Sequence, residues 1–161
     1  MVIVKAFISY SRQDADRVAQ LYQQLRQIEF LQLWIDQKDV LPGQDWHREV
    51  KREIRNSDVF LACISSSSVT KRGYLQKELR LAEEVAEEMP PGQIYRVPIR
   101  LDECDVPEQF EKISWVDYPD DFEMLCKTLE QIYLDKLAAS DEINLQRTGH
   151  IYQTFVGQIK T

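Results

Sequence analysis

Apolar residues recur along the chain with two alternating periods, which predict strands and helices in turn. Continuous apolar runs, such as residues 59–64, are typical of buried strands, whereas apolar positions three and four residues apart predict amphipathic helices. The predicted strands cover residues 5–9, 30–35, 58–64, 94–101 and 112–116, and the predicted helices cover residues 14–28, 46–56, 74–89 and 122–133. Because helices separate the strands, the pattern predicts an α/β fold: a five-stranded parallel sheet with helices on both faces.

Individual residues indicate where some of these elements begin and end. Asp14 is a plausible N-terminal cap for the first helix, and Pro90-Pro91-Gly92 ends the third. Pro98 lies inside the fourth predicted strand, where it indicates an edge position or a bulge.

Three loops follow the first three predicted strands. They are the turn at residues 9–12, the loop around Leu41-Pro42-Gly43 and the Ser-rich loop at residues 65–73. The carboxyl ends of parallel strands meet at one edge of the sheet, and ligands of such sheets bind at that edge. We therefore expect a cleft lined by these three loops.

Glu78 lies on the helix that follows the third loop. The apolar positions of this helix are Leu75, Leu79, Ala82, Ala86 and Met89. At 100° per residue, Glu78 lies roughly 60° from the centre of this stripe. We therefore expect its carboxylate at the rim of the buried face, half-shielded from solvent and beside the cleft. One helical turn earlier, Tyr74 places an aromatic ring on the same side.

The composition argues against several functional classes. The formal net charge is −7, which disfavours binding to nucleic acid or to anionic lipid. No apolar run reaches the roughly 20 residues of a membrane helix, and no basic leader precedes the first strand. The three cysteines are widely spaced, and His47 and His150 lack partners at metal or triad spacing. We therefore expect free thiols, no metal site and a reducing cytoplasm.

Residues 138–161 differ from the rest of the chain. They carry no strong helical period, although residues 151–156 are apolar enough to pair as a strand. We assign residues 1–137 to one domain and residues 138–161 to a linker or to the start of a neighbouring module. A tail that folds back on the domain is an equally open alternative.

Four sequence blocks, taken together, resemble a known family. They are Phe7-Ile8-Ser9-Tyr10-Ser11, Asp39-Val40-Leu41-Pro42-Gly43, Ser57-Asp58-Val59-Phe60 and the segment from Tyr74 to Glu78. In this order, and across roughly residues 3 to 135, the chain resembles a Toll/interleukin receptor (TIR) domain of the bacterial, NAD-cleaving type. The resemblance implies the flavodoxin-like fold of that family.

The resemblance also implies a chemistry. In enzymatic TIR domains, the glutamate at the position of Glu78 is associated with cleavage of NAD at its nicotinamide–ribose bond. Nicotinamide leaves a cationic ribosyl centre as a neutral molecule, so no general acid is required and one carboxylate suffices, whereas ordinary glycosidases need two. NAD is then a substrate, and no cofactor is implied. Many bacterial members carry Trp where this chain has Tyr74, which leaves open whether the product is ADP-ribose or a cyclic isomer.

Six further residues are candidate substrate contacts beside Glu78. They are Phe7, Ser9, Tyr10, Arg12, Trp46 and Tyr74. Four of them have an ordinary structural alternative. Phe7 is expected in the core, Trp46 and Tyr74 could anchor helices, and Arg12 is either a pyrophosphate contact or a surface arginine.

Two functions fit these features. The first is a self-associating NAD glycohydrolase, for which the resemblance implies a role in bacterial defence. The second is a non-enzymatic adaptor that binds other TIR domains through the loop from Asp36 to Asp45. A phosphoacceptor receiver is rejected because Ser9-Tyr10-Ser11 and Ser65-Ser66 replace its acidic residues. A dinucleotide-binding dehydrogenase is rejected because no Gly-x-Gly-x-x-Gly follows a strand.

Overall fold

The computed structural model describes residues 1–35, 40–70 and 72–159. Five strands form a parallel sheet: Val4–Ser9 (β1), Leu31–Ile35 (β2), Val59–Ile64 (β3), Arg96–Arg100 (β4) and Val116–Asp117 (β5). The helices are Ala15–Leu25 (α1), Trp46–Asn56 (α2), Tyr74–Glu87 (α3) and Phe122–Ile159 (α4). The strand order is β2-β1-β3-β4-β5, so β1 and β3 lie side by side within the sheet. The predicted α/β fold is confirmed.

Apolar side chains cover both faces of the sheet. On one face, Ala6 and Ile8 of β1 pack in a cluster with residues of α1 and α4. On the other face, Phe7 packs in a cluster with residues of α2 and α3. Side chains alternate along a strand, so Ser9 projects from the same face as Phe7. The strand pleat therefore directs Ser9 towards α2 and α3.

The fourth strand corrects the interpretation of Pro98. We predicted an edge strand or a bulge, but β4 lies between β3 and β5, and Pro98 is in register with Ala62. The N–H of Leu101 donates to β3, and backbone direction alternates along a strand, so the nitrogen of Pro98 faces β5. Because β5 pairs only with Ile99 and Arg100, the missing N–H of Pro98 costs no ladder hydrogen bond.

The fifth strand is shorter than predicted. We placed it at residues 112–116, but β5 contains only Val116 and Asp117. The chain before it is still turning, since the N–H of Ile113 donates to the carbonyl of Phe110 at 2.9 Å. Ile113 therefore packs against the core on the α2/α3 face from a turn. Its apolar side chain had suggested a strand residue.

The last helix is longer than predicted. Its backbone continues to Ile159, so the possible strand at residues 151–156 is wrong. A helix satisfies its backbone hydrogen bonds internally, whereas a strand there needs a neighbouring strand to pair with. The division into a domain at residues 1–137 and a separate segment at residues 138–161 stays a prediction.

The first helix also begins differently. A 3-10 turn spans Arg12–Asp14, and α1 runs from Ala15 to Leu25, three residues short of the predicted end. Asp14 holds the N-cap position of α1, as predicted, but its side chain makes no capping hydrogen bond. Its carboxylate accepts a hydrogen bond from the Ser65 hydroxyl at 2.6 Å instead.

Candidate functional site

Glu78 is buried and paired with Ser9. The Ser9 hydroxyl donates to Oε2 of Glu78 at 2.6 Å, and only 1% of Ser9 and 8% of Glu78 is exposed. The two residues are 69 positions apart, and the fold joins them because Ser9 ends β1 on the face that α3 covers. A hydroxyl this close to a carboxylate holds it in a fixed position.

The burial of Glu78 is deeper than we expected. We placed it at the rim of the buried face, but Val85 is also buried at 5% exposure. Val85 follows Glu78 by seven residues, almost two full turns, and so lies directly along the helix from it. The buried face of α3 therefore extends to include Glu78.

A surface cavity of about 510 Å³ opens between α2 and α3 beside this carboxylate. We call it the Glu78 cavity. Its walls are His47, Val50, Lys51 and Ile54 from α2, and Lys77, Glu78, Arg80, Leu81 and Glu84 from α3. Three of these residues are apolar, three are cationic, and two, Glu78 and Glu84, are anionic. The buried Glu78 therefore shares the cavity with three cations.

Trp46 and His47 begin α2 next to this cavity. Their rings stack with centroids 3.7 Å apart, and Trp46 packs against the apolar cluster beneath α2 and α3. Asp45 caps the helix by accepting hydrogen bonds from the N–H groups of His47 and Arg48 at 3.1 and 3.3 Å. We assigned His47 no role from the sequence, although its spacing from Val50 and Lys51 on one helix face was a usable signal.

Phe7 lies beneath the site. Its ring is 1% exposed and stacks between Trp34 and Phe60, with centroids 5.0 and 5.5 Å away. The expected core position is therefore confirmed, and contact between Phe7 and a substrate remains a prediction.

Tyr10 and Arg12 are the next two candidate substrate contacts. Tyr10 is half-buried and packs against the cluster on the α1/α4 face, as strand alternation requires for the residue after Ser9. Arg12 is exposed on the 3-10 turn. Neither residue is among the described walls of the Glu78 cavity. The Tyr74 side chain and the Asp36–Asp39 part of the predicted self-association loop lie outside what the structure describes.

A second polar group lies at the same edge of the sheet, and sequence reasoning missed it. Ser65 donates to Asp14, which is only 7% exposed, and the Ser66 N–H and hydroxyl both donate to Asp102 at 2.8 Å. Burial raises the pKa of Asp102, but these hydrogen bonds and the nearby Arg17 outweigh it and lower the pKa below its usual value. These contacts tie the loop after β3 to its neighbours and so fix one side of the site.

In the part of the chain that the structure describes, no helix is long and apolar enough to cross a membrane. Within the same residues, no group of three His, Cys, Asp or Glu side chains could hold a metal ion.

Solved structures of other proteins share this fold. The chain is similar in structure to the TIR domain of the Toll-related receptor TRR-2 from Hydra magnipapillata, with 18% identity, a TM-score of 0.58, and coverage of 84% of this chain and 95% of that one. It is similar to a prokaryotic SEFIR domain, with 18% identity, a TM-score of 0.56, and coverage of 81% and 98%.

A third structure is an assembly. The TIR domains of the activated Roq1 resistosome, which recognises the pathogen effector XopQ, match with 20% identity, a TM-score of 0.51, and coverage of 62% of this chain and 58% of that one. No curated protein matches the chain. At these identities the structural likenesses show the fold alone. A family model described as "TIR domain" matches residues 6–132, most of the chain, and the chain therefore belongs to the TIR domain family.

Proposed function

We propose that this TIR domain cleaves NAD at the nicotinamide–ribose bond, with Glu78 as the catalytic carboxylate. The products are nicotinamide and either ADP-ribose or a cyclic ADP-ribose isomer. The observation that carries the proposal is that Glu78, which lines an open cavity, is buried and its carboxylate accepts a hydrogen bond from a serine hydroxyl. Membership of the TIR domain family supports it. The resemblance of the segment from Tyr74 to Glu78 implies that Glu78 stands at the position of the glutamate associated with NAD cleavage in enzymatic members.

The chemistry needs one fixed negative charge. As the bond to nicotinamide breaks, positive charge develops on the ribose ring, while the leaving group becomes neutral. A carboxylate beside the ring stabilises that charge most strongly where water is excluded and where the group is already oriented. Glu78 is 8% exposed and oriented by Ser9, so it meets both conditions.

The dimensions and charges of the cavity also suit NAD. Ligand pockets commonly enclose roughly 300–1,000 Å³, and the Glu78 cavity encloses about 510 Å³. Val50, Ile54 and Leu81 offer apolar surface for a flat ring, while Lys51, Lys77 and Arg80 supply positive charge that suits an anionic substrate. NAD enters as the substrate, and no cofactor is part of the proposal.

Self-association is part of the proposal. Leu41, at the tip of the loop before α2, is 66% exposed, and a large apolar side chain in that position suits contact with a second TIR domain. The TIR domains of the Roq1 resistosome are described within an assembly. We place the activity in the bacterial cytoplasm, in a defence response that consumes NAD or makes a nucleotide signal.

The exposed loop also favours the second candidate function, a TIR–TIR adaptor without catalysis. The two functions differ in what they require of Glu78. An adaptor needs the surface around Leu41 and gains nothing from a buried carboxylate in a cavity, whereas the enzyme needs both.

Product analysis of a charge-neutral variant tests the proposal. Glu78→Gln keeps the shape of the side chain and its ability to accept from Ser9, but removes the charge. We expect nicotinamide release, measured by chromatography after incubation with NAD, to fall at least about 100-fold. Glu87→Gln is the matched control, because Glu87 is exposed on the same helix and outside the walls of the Glu78 cavity. Equal nicotinamide release by the two variants would refute the catalytic assignment.

A further inference from the structure

A second surface depression adjoins the Glu78 cavity. It encloses about 460 Å³ and lies between the loop after β3 and the first turns of α3, beside Val69, Arg72 and Gln76. Lys77 and Arg80 line both hollows, and so form a basic ridge between them. From Lys77 to Arg80 the helix rises only about 4.5 Å, so both cations lie at nearly the same height as Glu78.

The basic ridge stands out against the acidic chain. The formal net charge is −7, yet three cations, Arg72, Lys77 and Arg80, surround this depression. Among the described residues, none of the three forms an ion pair with a carboxylate. The first turn of α3 carries no acidic side chain and its Gly73 cap adds none, so the partial positive charge of the helix terminus is uncompensated there. These charges are available to an anionic ligand.

The arrangement of two hollows and a basic ridge matches the arrangement of groups in a dinucleotide. NAD carries its two negative charges on a central pyrophosphate, with one nucleoside on each side. Here a basic ridge separates two hollows, and Glu78 lines only one of them. Each hollow is large enough for one nucleoside half.

We propose that Lys77 and Arg80 bind the pyrophosphate of the substrate, so that its nicotinamide half enters the Glu78 cavity and its adenosine half lies in the depression beside Arg72. This assignment rests on the proposed NAD cleavage. The ridge then acts as a specificity element, because it requires a substrate with phosphate groups next to the ribose that Glu78 contacts.

The test separates phosphate binding from turnover. Calorimetry at low ionic strength measures the binding of inorganic pyrophosphate to the wild-type chain, to Lys77→Ala/Arg80→Ala and to Lys127→Ala. Lys127 is the matched control, because it is an exposed lysine on α4. Two exposed charge contacts together are worth about a tenfold change in dissociation constant, so we expect the double variant to weaken pyrophosphate binding about tenfold. The Lys127 variant is expected to bind like the wild type.

Steady-state kinetics then connect the ridge to the substrate. We expect the double variant to raise KM for NAD about tenfold with little change in kcat, and pyrophosphate to inhibit competitively. Equal pyrophosphate binding by the double and control variants, or no saturable binding by the wild type at millimolar concentration, would overturn the site. Non-competitive inhibition would assign the ridge to a separate phosphate ligand and overturn its role in substrate binding. Pyrophosphate binding that depends on the ridge, in a chain that never consumes NAD, would refute the proposed function and leave the phosphate site standing.

Discussion

Ser9→Ala is the substitution that tests how the fold holds its candidate catalytic group. It removes the hydroxyl that donates to Glu78 at 2.6 Å and leaves a carboxylate of 8% exposure with one donor fewer. Loss of a donor to a buried acceptor costs about 1–3 kcal/mol, and more for a charged acceptor. We therefore expect the free energy of unfolding to fall by about 2 kcal/mol, and the melting temperature to fall by several degrees.

A double-mutant cycle assigns this loss to the pair. Chemical denaturation of Ser9→Ala, Glu78→Ala and the double variant gives the coupling energy between the two side chains. We expect about 1–2 kcal/mol of coupling. Ser11→Ala is the control, because Ser11 lies two residues further along and its side chain makes no capping hydrogen bond. We expect that change to stay within about 0.5 kcal/mol of the wild type.

The same variant has a kinetic signature. Ser9 lies beneath Glu78 and orients it, so its loss should lower kcat for NAD cleavage about tenfold, with a smaller effect on KM. A coupling energy below about 0.3 kcal/mol, together with an unchanged kcat, would refute the idea that Ser9 positions Glu78.

Further outcomes are expected at three other residues, Ser65, Cys63 and Leu41. Ser65→Ala removes a 2.6 Å donor to the buried Asp14 carboxylate, so thermal denaturation should show a loss of about 1–3 kcal/mol; an unchanged melting temperature would show that this contact is not stabilising. Burial raises the pKa of the Cys63 thiol from 9.0 to about 12, so mass spectrometry should find Cys63 unlabelled by iodoacetamide at pH 8 until the chain is unfolded. Because the thiol ionises first in the unfolded chain, Cys63 should also make stability fall as pH rises from about 9 towards 12, and rapid labelling of the folded chain would contradict its burial. Leu41 is 66% exposed, so Leu41→Asp should leave the melting temperature unchanged. Light scattering should show weaker assembly of this variant, and NAD cleavage should fall with it. If neither assembly nor NAD cleavage falls, this loop does not mediate self-association.

The regular elements were largely predictable from local pattern. The structure gives α2 the predicted bounds, Trp46–Asn56, because an Asp45 cap precedes it and Val50 and Ile54 mark its buried face. The third strand was nearly as clear, since all six residues of Val59–Ile64 are buried. Alternation of such strands with helices was enough to predict the parallel sheet and the edge at which its loops gather.

The contacts between residues of the site could not be predicted from the local sequence pattern. The period of α3 identified Glu78 as a residue near the buried face, but not Ser9 as its partner 69 positions earlier. Asp14 looked like a helix cap because capping is a local role, whereas its observed partner, Ser65, is 51 positions away. Pairings of this kind depend on strand order and register, which a single sequence does not encode in any short window.

The predictions for the fifth strand and for residues 151–156 were wrong for a related reason. The fifth strand was placed four residues too early, because Ile113 is apolar whether it pairs in a sheet or packs from a turn. Apolar residues 151–156 were equally ambiguous between strand and helix, and the structure places them in α4.

Consumption of NAD by the purified chain is the most direct test of the central claim. The rate per molecule would be measured at low and high protein concentration for the wild type, Glu78→Ala and Glu87→Ala. We predict that the wild type and the Glu87 variant consume NAD, with a rate per molecule that rises with concentration, and that Glu78→Ala remains folded and inactive. A Glu78→Ala protein that consumes NAD at the wild-type rate, or a concentrated wild type that consumes none, would contradict the account.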